Sequence, residues 1–126
     1  MTQIANDIMT RYIEEIKIIY GMHLRKIILY GSYARGDFTE DSDIDLMILL
    51  DISDLDIKGY RHKLSEVTYN FNMDNGTDIK PIAKSERHFN KWVINYPFYA
   101  NIDKEGITLY GAVQWRNRNK EGSNTP

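Results

Sequence analysis

Gly31-Ser32, ten further residues, then Asp43-Ile44-Asp45 form the segment of this chain whose residue types and spacing could do chemistry. Alternate side chains on an extended strand share a face, so Asp43 and Asp45 project together. Two carboxylates on one face repel, and ionising both is costly without a compensating charge. At the head of the apolar run Leu46 to Leu50 they need a cation. All-oxygen donors suit Mg²⁺, which keeps several waters and takes other ligands from substrate phosphates. Gly31 permits close backbone approach, and the Ser32 hydroxyl with nearby N–H groups can hold phosphate oxygens. A helical turn starting at Ser32 would aim its free N–H groups at the same oxygens. Arg35 would add a charge-assisted contact.

These residues need elements to position them. Ile4, Ile8, Tyr12, Ile16 and Ile19 recur at helical spacing, so an amphipathic helix is predicted over residues 3–20, ended by Gly21. Lys26 to Tyr30 reads as a strand that stops at Gly31, and residues 31–42 as a functional loop with one helical turn. Asp43 to Leu50 reads as a second strand. Its apolar residues occupy both parities after Asp45, which places it centrally, covered on both faces. Ile57, Tyr60, Leu64, Val67 and Phe71 mark a helix over 54–74, with Ser53 or Asp54 as its cap. After the Asn75-Gly76 turn, Thr77 to Ile82 forms a third strand, and Pro81 assigns it to a sheet edge or a strand end. Ser85 caps a helix carrying Phe89, Trp92, Val93 and Tyr96 before Pro97; a short helix over 98–105 and a strand from Ile107 to Tyr110 follow.

The link between the first two strands is short for a parallel crossover, so they are predicted antiparallel. The helix between the second and third strands suits a β-α-β crossover. The expected fold is α/β (α+β-like): a small mixed sheet with flanking helices, forming a single domain over residues 1–115. From Arg116 on no apolar residue remains, and residues 116–126 are expected to be a disordered tail. The crossover also brings Asp78 to a strand beside Asp43 and Asp45. There it could complete a two-metal site as ligand and general base. Asp74 competes for that part, but its place beside the Asn75-Gly76 turn predicts exposure to solvent.

Composition narrows the functions available. With no cysteine among its 126 residues, the chain has no disulfide, thiolate nucleophile or cysteine-based zinc site. A net charge of −2 argues against an extended nucleic-acid footprint, although a local basic patch stays open. His23, His62 and His88 share no ligand spacing. No apolar run is long enough for a signal peptide or membrane span, which points to a cytoplasmic protein. Phe98, Tyr99, Tyr110 and Trp115 could form an aromatic patch for a partner. Arg116, Arg118 and Lys120 read as a solvated tail, with contact to RNA or an acidic partner as the alternative.

Gly31-Ser32 followed by Asp43-Ile44-Asp45-Leu46 resembles the nucleotidyltransferase signature of the DNA polymerase β-like superfamily. The Gly31 to Gly36 loop and the Glu105 to Tyr110 segment resemble its small prokaryotic branch, the minimal nucleotidyltransferase (MNT) proteins. The similarity spans roughly residues 20–111 and is sharpest over 29–50. It implies a mixed-sheet palm, a Mg²⁺–NTP site with ATP as donor, and Asp43, Asp45 and Asp78 as the carboxylate triad. It also implies a HEPN-domain toxin partner, with the MNT protein as antitoxin transferring AMP to a toxin tyrosine. A non-catalytic antitoxin on the same fold, or transfer to a small molecule or RNA, are the alternatives.

Overall fold

The computed structural model describes residues 3–111; Trp115 and the tail from Arg116 lie outside them. Helix α1 (Gln3–Tyr20) buries Met9, Tyr12, Ile16 and Tyr20 along one stripe. A 3-10 turn, Gly21–His23, leads into strand β1 (Leu24–Tyr30). The single turn α2 (Ser32–Arg35) precedes β2 (Ile44–Leu50), and β1 and β2 pair antiparallel, with Tyr30 opposite Asp45. Helix α3 (Asp54–Ile57) is capped by Ser53, whose hydroxyl oxygen accepts the Asp56 N–H at 3.1 Å. Helix α4 (Arg61–Asn75) carries the chain to β3 (Ile79–Ser85), which runs parallel to β2. Ser85 caps α5 (Glu86–Trp92) through the His88 N–H. Helix α6 (Pro97–Glu105) and β4 (Ile107–Tyr110) follow, and β4 pairs antiparallel with β1.

The sheet order is β3-β2-β1-β4, so β2 is internal and β3 is an edge, as the two parities and Pro81 predict. One face carries Ile27, Leu29, Leu46, Ile48 and Leu50 against α1 and α4. The other carries Ile28, Met47 and Leu49 against Phe89, Val93, Tyr99 and Ile102 of the α5–α6 segment. Each side chain of the inner strand thereby finds an apolar partner layer, which drives the sheet to form between helices.

Three details depart from the predicted elements. The helix expected over 54–74 is interrupted by a 3-10 turn at Lys58–Tyr60, where Gly59 is a poor helix former. Strand β3 continues to Ser85, and Pro81 sits inside it without disturbing the ladder, since its missing N–H faces away from β2. Helix α5 stops at Trp92, leaving Tyr96 outside it in extended geometry; the residue before a proline is disfavoured in helix.

The outer side of β3 is closed by specific groups. The Ile79 N–H donates to Asn72 Oδ1 at 2.9 Å, and Asn72 Nδ2 donates to the Ile79 carbonyl at 3.2 Å. At the far end the Ser85 N–H donates to Asp54 Oδ1 at 2.9 Å.

Two buried tyrosines on α1 differ in partnership. The Tyr12 hydroxyl is hydrogen-bonded to Thr68 Oγ1 at 2.7 Å, whereas the buried Tyr20 hydroxyl has no partner among the described residues. Burial pushes the pKa of both up to about 12. Tyr12→Phe should strand the Thr68 hydroxyl and cost roughly 1–3 kcal/mol, while Tyr20→Phe should be neutral or stabilising. Urea denaturation of both variants checks the contrast, and equal losses would contradict it.

Candidate active site

Strand register decides which side chains meet. Tyr30 and Lys80 flank Asp45 on the neighbouring strands, so all three point to one face. By parity that is the face of Met47 and Leu49, the side covered by α5 and α6. Asp43 and Asp78 each lie two residues upstream of Asp45 and Lys80 and extend the same face past the sheet end. The Ile44 N–H donates to the Asp78 carbonyl at 2.9 Å, which ties the two strand entries together. Asp43, predicted as the first strand residue, stands just before the ladder.

The predicted residues Asp43, Asp45 and Asp78 therefore converge. Close approach to Asp78 holds the Asp43 carboxyl above the usual aspartate range; lost hydration and the charges of Asp78 and Asp45 add to the effect, against Lys80. Asp45 is raised chiefly by lost hydration, with Asp78 adding and Arg35 and Lys80 opposing. Asp74 lies elsewhere, exposed, beside Arg11 and Glu14.

Gly31 packs directly onto Asp45. Its φ of +76° and ψ of −156° belong to a region that side-chain-bearing residues avoid. A Cβ placed there would overlap Asp45 Oδ2. This geometry turns the chain sharply from β1 into α2 and starts the helix at Ser32. The first intrahelical donors are Ala34 and Arg35, both to the Gly31 carbonyl at 3.1 Å. The N–H groups of Ser32 and Tyr33 precede them and are the ones a helix start leaves for an anion.

A cleft of about 410 Å³ joins these parts, lined by Tyr30, Gly31, Ser32, Arg35 and Asp45 on one side. Helix α6 forms the other wall with Phe98, Asn101, Ile102 and Glu105. The Phe98 ring meets Tyr30 edge-on at 5.7 Å. Burial, with the Asp45 charge adding, pushes the Tyr30 phenol up to about 12. Arg35 reaches Asp37 at 3.3 Å and Glu105 at 4.0 Å, so it spans the cleft mouth. Sequence reasoning missed the α6 wall and Lys80; of Phe98 it foresaw only exposure. A larger concavity of about 750 Å³, lined by Asp51, Ser85, His88 and Trp92 among others, lies at the opposite end of the sheet and shares none of these groups.

The donor set fits a hard divalent cation: carboxylate oxygens only, gathered at one sheet end where they raise one another's pKa. Among the described residues no three acidic or histidine side chains stand close enough to hold a metal ion between them. Mg²⁺ suits such an open arrangement because it retains waters and takes ligands from phosphate.

A consequence for stability follows. Groups whose folded pKa is raised stabilise the fold while protonated, and that contribution is lost as pH rises through the raised values. Chelator-treated protein should therefore lose stability from about pH 4 toward neutrality at this site. Asp43→Asn should flatten that part of the profile, and added Mg²⁺ should raise the wild-type Tm at neutral pH. Calorimetry in EDTA and in Mg²⁺ measures both, and a variant profile parallel to wild type would refute the assignment.

Comparison with known proteins places the chain in a family. The family model described as a nucleotidyltransferase domain matches residues 9–100. Two Methanocaldococcus jannaschii proteins, each bearing the name "Putative protein adenylyltransferase", are similar in sequence. One is 39% identical over 99 residues, covering 79% of this chain and 91% of the relative. The other is 30% identical over 103 residues, covering 82% and 96%. The fold is similar to a chain of a toxin–antitoxin crystal structure with AMP-PNP, at a TM-score of 0.54 and 16% identity over 88% of this chain and 77% of that one. It is also similar to a chain of the complex between tri-AMPylated Shewanella oneidensis HEPN toxin and MNT antitoxin. There the TM-score is 0.50 and the identity 17%, covering 95% and 78%. With the Gly31-Ser32 turn set against the Asp43–Asp45 strand and the family model spanning most of the sheet, the chain belongs to the nucleotidyltransferase-domain family and is a nucleotidyltransferase.

Proposed function

We propose that this enzyme transfers AMP from ATP to a hydroxyl of a partner protein, with a tyrosine of a HEPN-type toxin as acceptor, and so acts as an antitoxin. The convergence of Asp43, Asp45 and Asp78 beside the Gly31–Ser32 turn carries the chemical part of this reading. The adenylyltransferase names of the relatives, and the AMPylated toxin in one structural neighbour, support the acceptor.

In the reaction the acceptor oxygen forms a bond to the α-phosphorus while the bond to the bridging oxygen of pyrophosphate breaks. Products are the AMP ester, pyrophosphate and the hydroxyl proton. Asp43, Asp45 and Asp78 would hold Mg²⁺, which neutralises phosphate charge and acidifies the attacking hydroxyl. Asp78 is exposed beside Asp43, where it can accept that proton. Ser32 Oγ and the adjoining N–H groups hold phosphate oxygens, and Arg35 at the mouth adds charge. The nucleotide fits against the Tyr30–Phe98 wall, leaving the Asp78 side to the acceptor. A cysteine-free chain, with no described helix long and apolar enough to cross a membrane, suits a cytoplasmic enzyme.

Incubation with Mg²⁺, α-³²P-ATP and a HEPN-type partner protein tests the reading. Label on a partner tyrosine, dependent on Asp45, is expected. A tight complex without label would replace it with a covering antitoxin. Label on RNA or a small molecule would redirect the acceptor.

A further inference from the structure

Lys80 lies among the three aspartates rather than beside them. It is the β3 register partner of Asp45, and it stands two residues from Asp78 on the same face. Its Nζ reaches Asp78 Oδ1 at 3.7 Å, and its charge also acts on Asp43 and Asp45. The other cation near Asp45, Arg35, is engaged by Asp37 and Glu105. Both members of the Lys80–Asp78 pair are 58% exposed, so the pair by itself contributes little to stability. What Lys80 offsets is the mutual repulsion of the clustered carboxylates. Among the described residues, three carboxylates at one sheet end face the Lys80 ammonium, with the Arg35 guanidinium acting at Asp45.

We infer that Lys80 is a positioning residue that stands in for the metal: it engages Asp78 while the site holds no divalent cation and yields that carboxylate when the cation arrives. This rests on the reading of the three aspartates as the metal-bearing group. Two consequences oppose one another in sign. The ammonium offsets carboxylate repulsion in the metal-free protein, so removing it should weaken that state. It also competes for Asp78 and repels a divalent ion, so removing it should tighten metal binding. A lysine that merely decorates the surface would do neither.

The test is Mn²⁺ binding by electron paramagnetic resonance on the nucleotide-free full chain at low salt, where exposed charges are least screened. Lys80→Met should lower the half-saturating Mn²⁺ concentration about fivefold, the scale of a unit charge removed near a divalent ion in a wet site. Lys80→Arg, which keeps the charge, should restore the wild-type value. In EDTA, Lys80→Met should melt below wild type, and saturating Mg²⁺ should close that gap. Unchanged or weaker Mn²⁺ binding by Lys80→Met overturns the inference. Asp45→Asn separates the two levels: if it loses Mn²⁺ while Lys80→Met matches wild type, the site stands and the role of Lys80 falls. If wild type itself shows no saturable Mn²⁺ binding, the site reading falls and this inference with it.

Discussion

Asp45→Asn is expected to lower the rate of nucleotidyl transfer by about a thousandfold or more while leaving the sheet intact. The substitution keeps the shape of the side chain and removes its charge. A bound metal stabilises developing charge by several kcal/mol, and about 4 kcal/mol corresponds to that factor in rate. The fold should survive because Asp45 is charge-burdened rather than charge-paired in the metal-free state: lost hydration and Asp78 raise its pKa. Melting temperature in EDTA should therefore hold or rise in the variant. Single-turnover kinetics with labelled ATP, together with the melting curve, read both effects. Near-wild-type transfer by Asp45→Asn would exclude Asp45 from the reaction.

Gly31→Ala should be nearly as damaging, for a reason that involves no functional group. The backbone angles at Gly31, φ +76° and ψ −156°, cost a side-chain-bearing residue about 1–3 kcal/mol. The added Cβ would also strike Asp45 Oδ2. Either the turn opens and displaces Ser32, or Asp45 swings out of line. A misplacement on the order of 1 Å at a reacting centre costs about a hundredfold. The expected result is a loss of that size or greater in kcat, with circular dichroism unchanged. A Gly31→Ala protein of normal rate would mean that the turn does not position the chemistry.

Much of this could be read from residue order. Two parities of apolar residues after Asp45 identified the inner strand, Pro81 narrowed its strand to a sheet edge or a strand end, and the Asn75-Gly76 turn separated Asp74 from Asp78. These signals are local or follow from connection length. The opposite wall of the cleft was not legible. Phe98, Asn101 and Glu105 reach Tyr30 and Arg35 only because α5 ends at Trp92, and Pro97 then starts a new helix across the sheet end. The break at Pro97 and the short helix after it were legible, but Tyr96 continues the apolar stripe and hides the end of α5 at Trp92. Lys80 escaped for another reason: alternation along its own strand says nothing of its neighbour, and register alone sets it beside Asp45.

The clasp on the outer side of β3 bears on how the enzyme meets other chains. An exposed parallel edge is a template on which a foreign strand can lengthen the sheet, ending in aggregates as readily as in specific complexes. Here Asn72 mimics a strand at Ile79, Pro81 has no N–H to donate, and Asp54 occupies the N–H of Ser85. Among the described residues that leaves Ala83 as the outward position with an N–H to offer, too little for a ladder. A macromolecular acceptor is then not recognised by lengthening the sheet at β3. The enzyme can hold a reactive sheet end open to a partner without offering its β3 flank to every unfolded chain it encounters.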